Sequence, residues 1–184
     1  MAEVERRGSV AAEIPFLTKV NIRVKPGGPA AAAVAEVLGV ALPVEPNTIA
    51  VDRARRVLWL GPDEWLVVDP LAERPGLELA LLAALGGQPG AIVDVSAERT
   101  VIELSGAHAR DVLMKGCSID LHPTAFSVGQ CAQTGLARAQ VVLMPVGEAA
   151  YWIFVRSSFA GYLTAWLHDA MAEYSLFPSA GTLR

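Results

Sequence analysis

Apolar and polar residues alternate along several short stretches of the chain, which indicates half-buried β-strands. At 20–24, valine and isoleucine alternate with asparagine and arginine, the period of two expected for a strand with one buried face. Other short runs are rich in β-branched or aromatic residues and are bounded by turn residues. The predicted strands are 20–24, 56–60, 65–68, 92–95, 101–104, 141–144 and 151–155.

Four stretches have the spacing of amphipathic helices. The first, rich in alanine, follows the chain-breaking run Lys-Pro-Gly-Gly-Pro at 25–29. Glycine ends three of the four, as is typical of a left-handed C-cap, at Gly39, Gly86 and Gly116. The predicted helices are 30–38, 77–85, 107–115 and 159–171.

The order of these elements repeats along the chain with a shift of roughly 80 residues. The overlay places Trp65 near Trp152 and predicts two duplicated β-α-β-β-α units, about 18–87 and 98–172. Hairpins with helices on one side indicate an α+β fold. The predicted organisation is an N-terminal arm at 1–15 that is mobile or bound to a partner, a domain at 16–175 and a tail at 176–184.

Composition favours a protein that associates with other proteins. Of the 184 residues 53% are hydrophobic and 18% are charged, so an apolar surface beyond the core is expected, although alanine contributes heavily. The net charge of −4 argues against nucleic-acid binding. Arg53, Arg55 and Arg56 are interpreted as a solvated turn because Asp52 interrupts them.

Features of the sequence also predict a cytoplasmic protein. The N-terminus lacks the apolar segment of a secretory signal. No apolar run is long enough to predict a transmembrane helix, so no membrane association is expected. Cys117 and Cys131 fit a reducing compartment.

Cysteine and histidine could supply metal ligands or a nucleophile, but their spacing favours neither. Cys117 and Cys131 are not a close pair, and only His122 lies between them. His108 and His168 lie on predicted helices. We therefore interpret the cysteines as buried, inert thiols and His122 as a packing residue of its loop.

The remaining candidates for catalytic or cofactor chemistry have simpler structural explanations. Ser96 follows Asp94 in a turn that caps itself, and no nucleophile elbow or glycine-rich dinucleotide or phosphate loop is present. Asp63 and Glu64 lie at a predicted hairpin tip, where carboxylates are usually solvated. The four tryptophans fit core or interface positions. The sequence therefore predicts no catalytic, cofactor-binding or metal-ligating residue in this chain.

Four motifs, in order, resemble the gamma-subunit family of heterotetrameric sarcosine oxidase over roughly residues 15–175. They are G-P-D-E-W-L-V-V at 61–68, D-V-S-A-E-R-T-V-I-E-L-S-G at 94–106, K-G-C-S-I-D-L-H-P at 115–123 and G-Q-C-A-Q-T at 129–134. The last two in combination are the most specific.

The resemblance implies a non-catalytic subunit that stabilises a flavin-dependent amine oxidoreductase. That complex oxidatively demethylates sarcosine to glycine, hydrogen peroxide and a one-carbon unit passed to tetrahydrofolate. It implies alpha, beta and delta partner subunits, with FAD, FMN, NAD and tetrahydrofolate on the partners and no cofactor in this chain. It also implies a fold like the folate-binding domain of aminomethyltransferases, the glycine-cleavage T-protein family.

That wider kinship supplies an alternative, a stand-alone folate-binding module. Aminomethyltransferases use an acidic residue soon after a glycine-rich turn, whereas 130–147 contains no Asp or Glu and Glu148 comes next at a predicted hairpin tip. A free scaffold unrelated to sarcosine is a third possibility. For a subunit, we expect the N-terminal arm and the loop 117–135 to form the interface.

Overall fold

A computed structural model describes residues 9–70 and 76–176 of the chain. These residues form ten strands and four helices. The strands are β1 (Val10–Glu13), β2 (Thr18–Val24), β3 (Ile49–Asp52), β4 (Arg55–Gly61), β5 (Glu64–Asp69), β6 (Gly90–Asp94), β7 (Arg99–Ser105), β8 (Ala132–Leu136), β9 (Ala139–Gly147) and β10 (Ala150–Arg156). The helices are α1 (Pro29–Leu38), α2 (Leu77–Leu85), α3 (Ala109–Met114) and α4 (Ser157–Leu176).

The chain divides into two compact units, each assembled from separate segments. The N-terminal unit consists of residues 15–98 and 129–132. The C-terminal unit consists, within the described chain, of residues 9–14, 99–128 and 133–176. Each unit thus contains a segment that is remote in sequence from most of the rest of it.

The N-terminal unit is built on a five-stranded sheet in the order β3-β4-β5-β2-β6, with antiparallel neighbours. Helices α1 and α2 pack on one face, because every second residue of β2 and β5 is apolar and points to them. Gly39 ends α1 with φ 76° and donates its N–H to the carbonyl oxygen of Ala35. The core includes Val20, Ile22, Val34, Leu38, Val57, Trp65, Val67, Leu81 and Leu85.

The C-terminal unit has a second five-stranded sheet in the order β1-β7-β10-β9-β8. β1 pairs antiparallel with β7, and β10 pairs antiparallel with both β7 and β9. Leu113 of α3 and Leu163 and Leu167 of α4 are buried. The α+β prediction is confirmed. The two sheets share their strand number and order of elements, whereas an origin by duplication, with boundaries at 18–87 and 98–172, stays a prediction.

Every strand and helix predicted from the sequence is present, with ends shifted by a few residues. Three strands went unpredicted. β1 lies within the predicted arm 1–15, β3 overlaps the end of the proline-rich connection 40–50, and β8 overlaps the end of the predicted loop 117–135. All three are short outer strands of their sheets, so little of their sequence alternates between buried and exposed positions.

The second half of the arm predicted at 1–15 is a strand of the C-terminal unit and not a mobile segment, whereas contact of the arm with a partner stays a prediction. Val10–Glu13 pair with Ile102–Ser105, and the Ile14 N–H donates to the carbonyl oxygen of Val101 at 2.8 Å. Residues 1–8 of the predicted arm and residues 177–184 of the predicted tail lie outside the described residues. The N-terminal segment therefore supplies an edge strand of the second sheet.

Gly116 is not a left-handed C-cap, because Lys115 takes the C-cap position of α3 in a right-handed conformation. A side chain at Gly116 would instead lie 2.6 Å from Cζ2 of Trp166 and 3.1 Å from the backbone nitrogen of Ala137. Gly116 is needed because the chain packs closely at this position. A glycine that follows a helix in the sequence can reflect either close packing or a left-handed backbone angle, and the sequence pattern does not distinguish the two.

The overlay of Trp65 on Trp152 pairs residues with opposite orientations. Trp65 lies on the helix-covered face of its sheet, is fully buried, and donates its indole N–H to the carbonyl oxygen of Pro43 at 2.8 Å. Trp152 is half-buried and donates to Glu103 at 2.9 Å. Its neighbour Tyr151 reaches α3 through Arg110, so Trp152 faces the other side. A one-residue shift in the overlay accounts for the difference.

Arg55 corrects the interpretation of the arginine cluster as a solvated turn. Its side chain is buried and donates Nε and Nη2 to Asp69 at 2.9 and 2.8 Å. Its Nη1 donates to the carbonyl oxygen of Leu38 at 2.7 Å, so Arg55 also satisfies the C-terminus of α1.

Within the described part of the chain, no helix is long and apolar enough to cross a membrane.

Candidate functional site

The two cysteines lie in different surroundings. Cys131 is buried, and its sulfur lies 3.4 Å from the carbonyl oxygen of Trp59 and 3.7 Å from that of Thr48. Burial raises the pKa of the Cys131 thiol from 9.0 to about 12, with the hydrogen bond to Trp59 acting in the opposite direction. The thiol therefore stays protonated at neutral pH, as an inert packing residue would. Cys117 is half-buried and also free.

His122 is placed by contacts within its own loop. Its Nδ1 lies 2.7 Å from the hydroxyl of Thr124, and its backbone N–H donates to the carboxylate of Asp120 at 2.8 Å. Across residues 9–70 and 76–176, no three His, Cys, Asp or Glu side chains are grouped so that they could hold a metal ion.

Ser96 and Glu64 also serve local structure. The backbone N–H of Ser96 donates to Asp94 Oδ1 at 2.7 Å, which is the self-capping turn expected from the sequence. The Ser96 hydroxyl accepts the Lys19 N–H at 2.9 Å. The Glu64 carboxylate accepts hydrogen bonds from Asn21 and Arg23 on the adjacent strand β2.

A polar and aromatic cluster joins α3 to the C-terminal half of α4. His108 stacks on Tyr174 with ring centroids 4.4 Å apart, and its Nδ1 lies 3.0 Å from Asp111. The Lys115 ammonium lies 4.6 Å from the centre of the Tyr174 ring and 2.6 Å from Glu173. These contacts fasten α3 to α4.

Two titrating groups of this cluster respond to their neighbours. The hydrogen bond from Lys115 holds the pKa of Glu173 below its ordinary value. Desolvation, followed by the contact with Glu173, raises the pKa of Tyr174. Both shifts favour the charge states already expected at neutral pH, so they strengthen the cluster without creating an acid or base for catalysis.

The C-terminal unit contains a cleft of about 650 Å³ beside α3. Its walls come from the start of α3, the loop 123–128 and the β9–β10 turn. The lining is mostly apolar, with a few polar groups, a composition typical of ligand sites. The lining residues are Ala107, Arg110, Pro123, Phe126, Ser127, Val128, Pro145, Gly147, Glu148, Ala149 and Tyr151.

A second cavity of about 520 Å³ shares Arg110 and Pro123 with this cleft. It is lined further by Met114 and by the loop that carries Cys117, Asp120 and His122. Part of the loop 117–135, predicted as an interface, thus forms the walls of two neighbouring cavities. Both lie wholly within the C-terminal unit.

Arg110 is the charged side chain common to both cavities. Its Nε donates to the Tyr151 hydroxyl at 3.1 Å, and its Nη2 donates to the Glu148 carbonyl oxygen at 3.2 Å. These contacts fix the guanidinium against the buried ring of Tyr151. Sequence reasoning missed Arg110, since one arginine on a short predicted helix gives no local signal.

Helix α2 exposes an apolar outer face. Leu79 and Leu82 are 69% and 42% exposed, and Ala80 and Ala83 lie beside them, also exposed. Glu78 is the one charged residue of this helix. A helix that is apolar on all sides is normally covered on all sides. The sequence pattern 77–85 predicted the helix but not which of its leucines would be left outside.

The chain was compared with known protein families and proteins. Residues 24–173 match the model of the "Sarcosine oxidase, gamma subunit family". The chain is 44% identical to the sarcosine oxidase subunit gamma of Corynebacterium sp. (strain P-1), over 98% of this chain and 91% of that protein. It is 43% identical to the subunit gamma of Arthrobacter sp., over 95% and 88%.

Solved structures give a consistent result. A chain of the heterotetrameric sarcosine oxidase from Corynebacterium sp. U-96, solved in complex with pyrrole 2-carboxylate, matches with TM-score 0.87 and 39% identity, over 97% of this chain and 89% of that one. The aminomethyltransferase T of the glycine cleavage system from Bartonella henselae matches with TM-score 0.64 and 15% identity, over 89% of this chain and 46% of that one. This second match supports the expected fold only. The chain belongs to the sarcosine oxidase gamma subunit family.

Proposed function

We propose that this chain is a non-catalytic gamma subunit that stabilises a heterotetrameric oxidase. In this proposal the assembled enzyme oxidatively demethylates sarcosine to glycine and hydrogen peroxide and passes the one-carbon unit to tetrahydrofolate. The contribution of the chain is to hold its neighbours in the geometry on which their reacting groups depend.

The observation that carries this proposal is the exposed apolar face of α2. In a chain that works alone, exposing Leu79 and Leu82 together gains nothing and promotes aggregation. In a subunit, the same side chains become part of a desolvated interface. We propose that α2 packs against a partner subunit of the oxidase, in addition to the N-terminal segment and the loop 117–135 expected from the sequence.

The cofactors and compartment follow from the same proposal. We expect FAD, FMN, NAD and tetrahydrofolate on the partner subunits, and the assembled enzyme in the cytoplasm. Gly39 and Gly86 end helices α1 and α2 in left-handed conformations.

The proposal is tested by co-expressing the tagged chain with the genes that neighbour its own and purifying through the tag. We expect a yellow complex with flavin absorption bands and larger partner chains. The double substitution Leu79→Ser and Leu82→Ser should reduce recovery of the partners at least about tenfold, since two anchoring side chains are lost.

The matched control is the double substitution Val44→Ser and Val51→Ser. These valines belong to the same unit and are 68% and 55% exposed, so general surface polarity changes in the same way. Recovery of the partners should stay unchanged in this control. A colourless chain that binds tetrahydrofolate without partners would overturn the proposal in favour of a stand-alone folate-binding module.

A further inference from the structure

The outer edge of strand β6 is open along its middle. In an antiparallel pair, the N–H and C=O of one residue point to the neighbouring strand, and those of the next residue point away. The Val95 N–H donates to the carbonyl oxygen of Lys19 on β2 at 2.8 Å. The N–H of the preceding residue, Asp94, instead donates to the Glu78 carboxylate of α2 at 3.2 Å. The alternation therefore directs the N–H and C=O of Ile92 away from β2, where no described residue bonds to them.

The opposite edge of the same sheet is closed. Strand β3 is the outer strand there, and the segment 129–132 pairs with it. The Ile49 N–H donates to the carbonyl oxygen of Gly129 at 2.9 Å, and the Cys131 N–H donates to that of Asn47 at 2.8 Å. Because an open edge readily pairs with another chain, proteins usually cover such edges or use them for binding. Within the described part of this unit, β6 is the edge that remains for another chain.

The apolar face of α2 adjoins this open edge. Glu78 and Leu82 are four residues apart and therefore lie on the same side of the helix. Because Glu78 reaches the outward N–H of Asp94, Leu82 lies on the side of α2 that borders β6. Ile92 points into the core beneath the helices, so its neighbour Val93, which is 49% exposed, points to the other face of the sheet. A strand added to β6 would therefore contact Leu82 on one face and Val93 on the other.

Two carboxylates lie together at one end of the edge. Glu78 Oε1 contacts the backbone nitrogen of Asp94, and the Asp94 side chain turns back to accept the Ser96 N–H at 2.7 Å. A basic side chain at this end of a paired strand would complement both charges.

We propose that a partner subunit adds a sixth strand to this five-stranded sheet along β6. The added segment is extended, forms backbone hydrogen bonds with Ile92, contacts Leu82 and Val93 with apolar side chains, and carries a basic residue near Glu78. In strand addition of this kind, main-chain hydrogen bonds supply affinity and the alternate side chains supply specificity. The inference rests on the assembly proposed above and states what the partner offers to the surface beside α2.

The first test follows amide hydrogen exchange in the free chain and in the purified complex, read residue by residue by mass spectrometry. The Ile92 N–H should exchange at least about a hundredfold more slowly in the complex, because it gains a hydrogen-bond acceptor. The Val93 N–H, which the alternation directs to β2, is the internal control and should be protected in both samples. An Ile92 amide that exchanges equally in the two samples would overturn the proposal.

A lysine on the edge strand gives the second test. Val93→Lys should reduce recovery of the partners at least about tenfold, since a charged side chain on an edge opposes pairing with a further strand. Val51→Lys is the matched control, because this valine is 55% exposed on β3, the outer strand of the closed edge. Recovery should stay unchanged in the control, and equal losses in the two variants would overturn the proposal.

A charge reversal tests the basic residue of the added strand. Glu78→Lys should reduce recovery of the partners about threefold to tenfold, because it places like charges side by side. Glu36→Lys, at an exposed position of α1 in the same unit, is the control and should leave recovery unchanged. Equal recovery of these two variants would overturn the assignment of a basic residue to this end of the strand.

Folding and self-association are checked separately. Thermal unfolding must show that Val93→Lys stays folded; if it does not, Ala91→Lys, at an exposed position on the same face of β6, replaces it. Exchange of the Ile92 amide in the free chain should not depend on protein concentration. Slower exchange at higher concentration would mean that a second copy of this chain covers the edge, and would overturn the assignment to a partner subunit.

The outcomes separate this proposal from the one on which it rests. Recovery of the partners with an unprotected Ile92 amide would overturn strand addition and leave the assembly standing. Failure of the wild-type chain to recover any partner would overturn both.

Discussion

The two units share a topology but differ in the residues they expose. In the N-terminal unit, α2 follows the β4–β5 hairpin and exposes leucine and alanine. In the C-terminal unit, α4 follows the β9–β10 hairpin, exposes Phe159 and Tyr162 in its first half, and exposes His168, Asp169 and Glu173 along its second half. In both units, the helix that follows the hairpin packs on one face of its sheet. The pattern of buried residues therefore determines where each helix lies. The exposed residues determine what each unit can bind, and they differ between the units.

The largest expected difference between the units concerns their hairpin tryptophans. Trp65→Ala should lower the free energy of unfolding by about 3–5 kcal/mol, because it opens a cavity in a filled core and leaves the Pro43 carbonyl unpaired. Trp152→Ala should cost about 1–2 kcal/mol, since that side chain is half-buried. Urea unfolding of both variants checks this comparison.

Co-purification adds a readout of function to the tryptophan comparison. Trp65→Ala should reduce solubility or assembly and leave the Michaelis constant of the complex for sarcosine unchanged. A complex that assembles normally but with an altered Michaelis constant would contradict a purely structural role for Trp65.

The next largest effect concerns two carboxylates that each contact an arginine or histidine side chain, one in each unit. Asp69→Asn should cost about 3 kcal/mol, because Arg55 is then left buried beside a neutral group. Asp111→Asn, whose carboxylate is 51% exposed beside His108, should cost less than about 0.5 kcal/mol. Chemical denaturation at neutral pH measures the free energy of unfolding of both variants. If the two substitutions lowered it equally, burial would not determine how much each carboxylate contributes to stability.

A smaller effect distinguishes two glycines of the C-terminal unit. Gly116→Ala should cost about 2 kcal/mol because its new methyl group overlaps the ring of Trp166. Gly161→Ala, within α4 and with nothing within 4 Å of the new carbon, should stabilise by about 0.5–1 kcal/mol. Thermal unfolding shows whether each substitution lowers or raises stability. Replacing Trp166 by Leu should reduce the loss of stability caused by Gly116→Ala. If the loss persisted, the strain would lie elsewhere.

The smallest effect appears only in alkali. The unfolded chain loses the Cys131 proton near pH 9.0, whereas the folded chain keeps it to about pH 12. The free energy of unfolding should therefore be unaffected below pH 9 and fall by up to about 1.4 kcal/mol per pH unit above it. Unfolding of wild type and Cys131→Ala at pH 8 and pH 10 isolates this contribution, with Cys117→Ala as the control. An identical pH dependence in wild type and Cys131→Ala would contradict the raised pKa.

Predictions from the sequence were best where burial produces a period. Strands such as β2 and helices such as α2 were located because their buried residues recur at fixed spacing. The family was identified from four short motifs. The outer strands β1 and β3 were missed because none of their residues is buried, and β8 was missed because only two of its five residues are, which weakens the alternation that would reveal them.

Contacts between residues distant in sequence were not predicted. The Arg55–Asp69 pair, the packing of Gly116 against Trp166 and the clamp on Arg110 each join separate elements. The overlay placed Trp65 only near Trp152, and this left the face of Trp152 undetermined, since orientation along a strand changes at every residue. The sequence therefore predicted the elements more reliably than the surfaces they form.

The exchange of segments between the units has a consequence for the order of synthesis. β1 is translated before the N-terminal unit, yet its pairing partner β7 ends at Ser105, and β6 closes the sheet of the N-terminal unit only after α2 is complete. Residues 129–132 of that unit are translated later still. A ribosome that stalls after Glu98 would thus leave β1 without its neighbour and the N-terminal unit without its last segment. A gene divided at this point would encode two fragments, each lacking a segment of its own unit that the other fragment carries, which makes the junction at 98–99 a natural place for a two-fragment complementation assay.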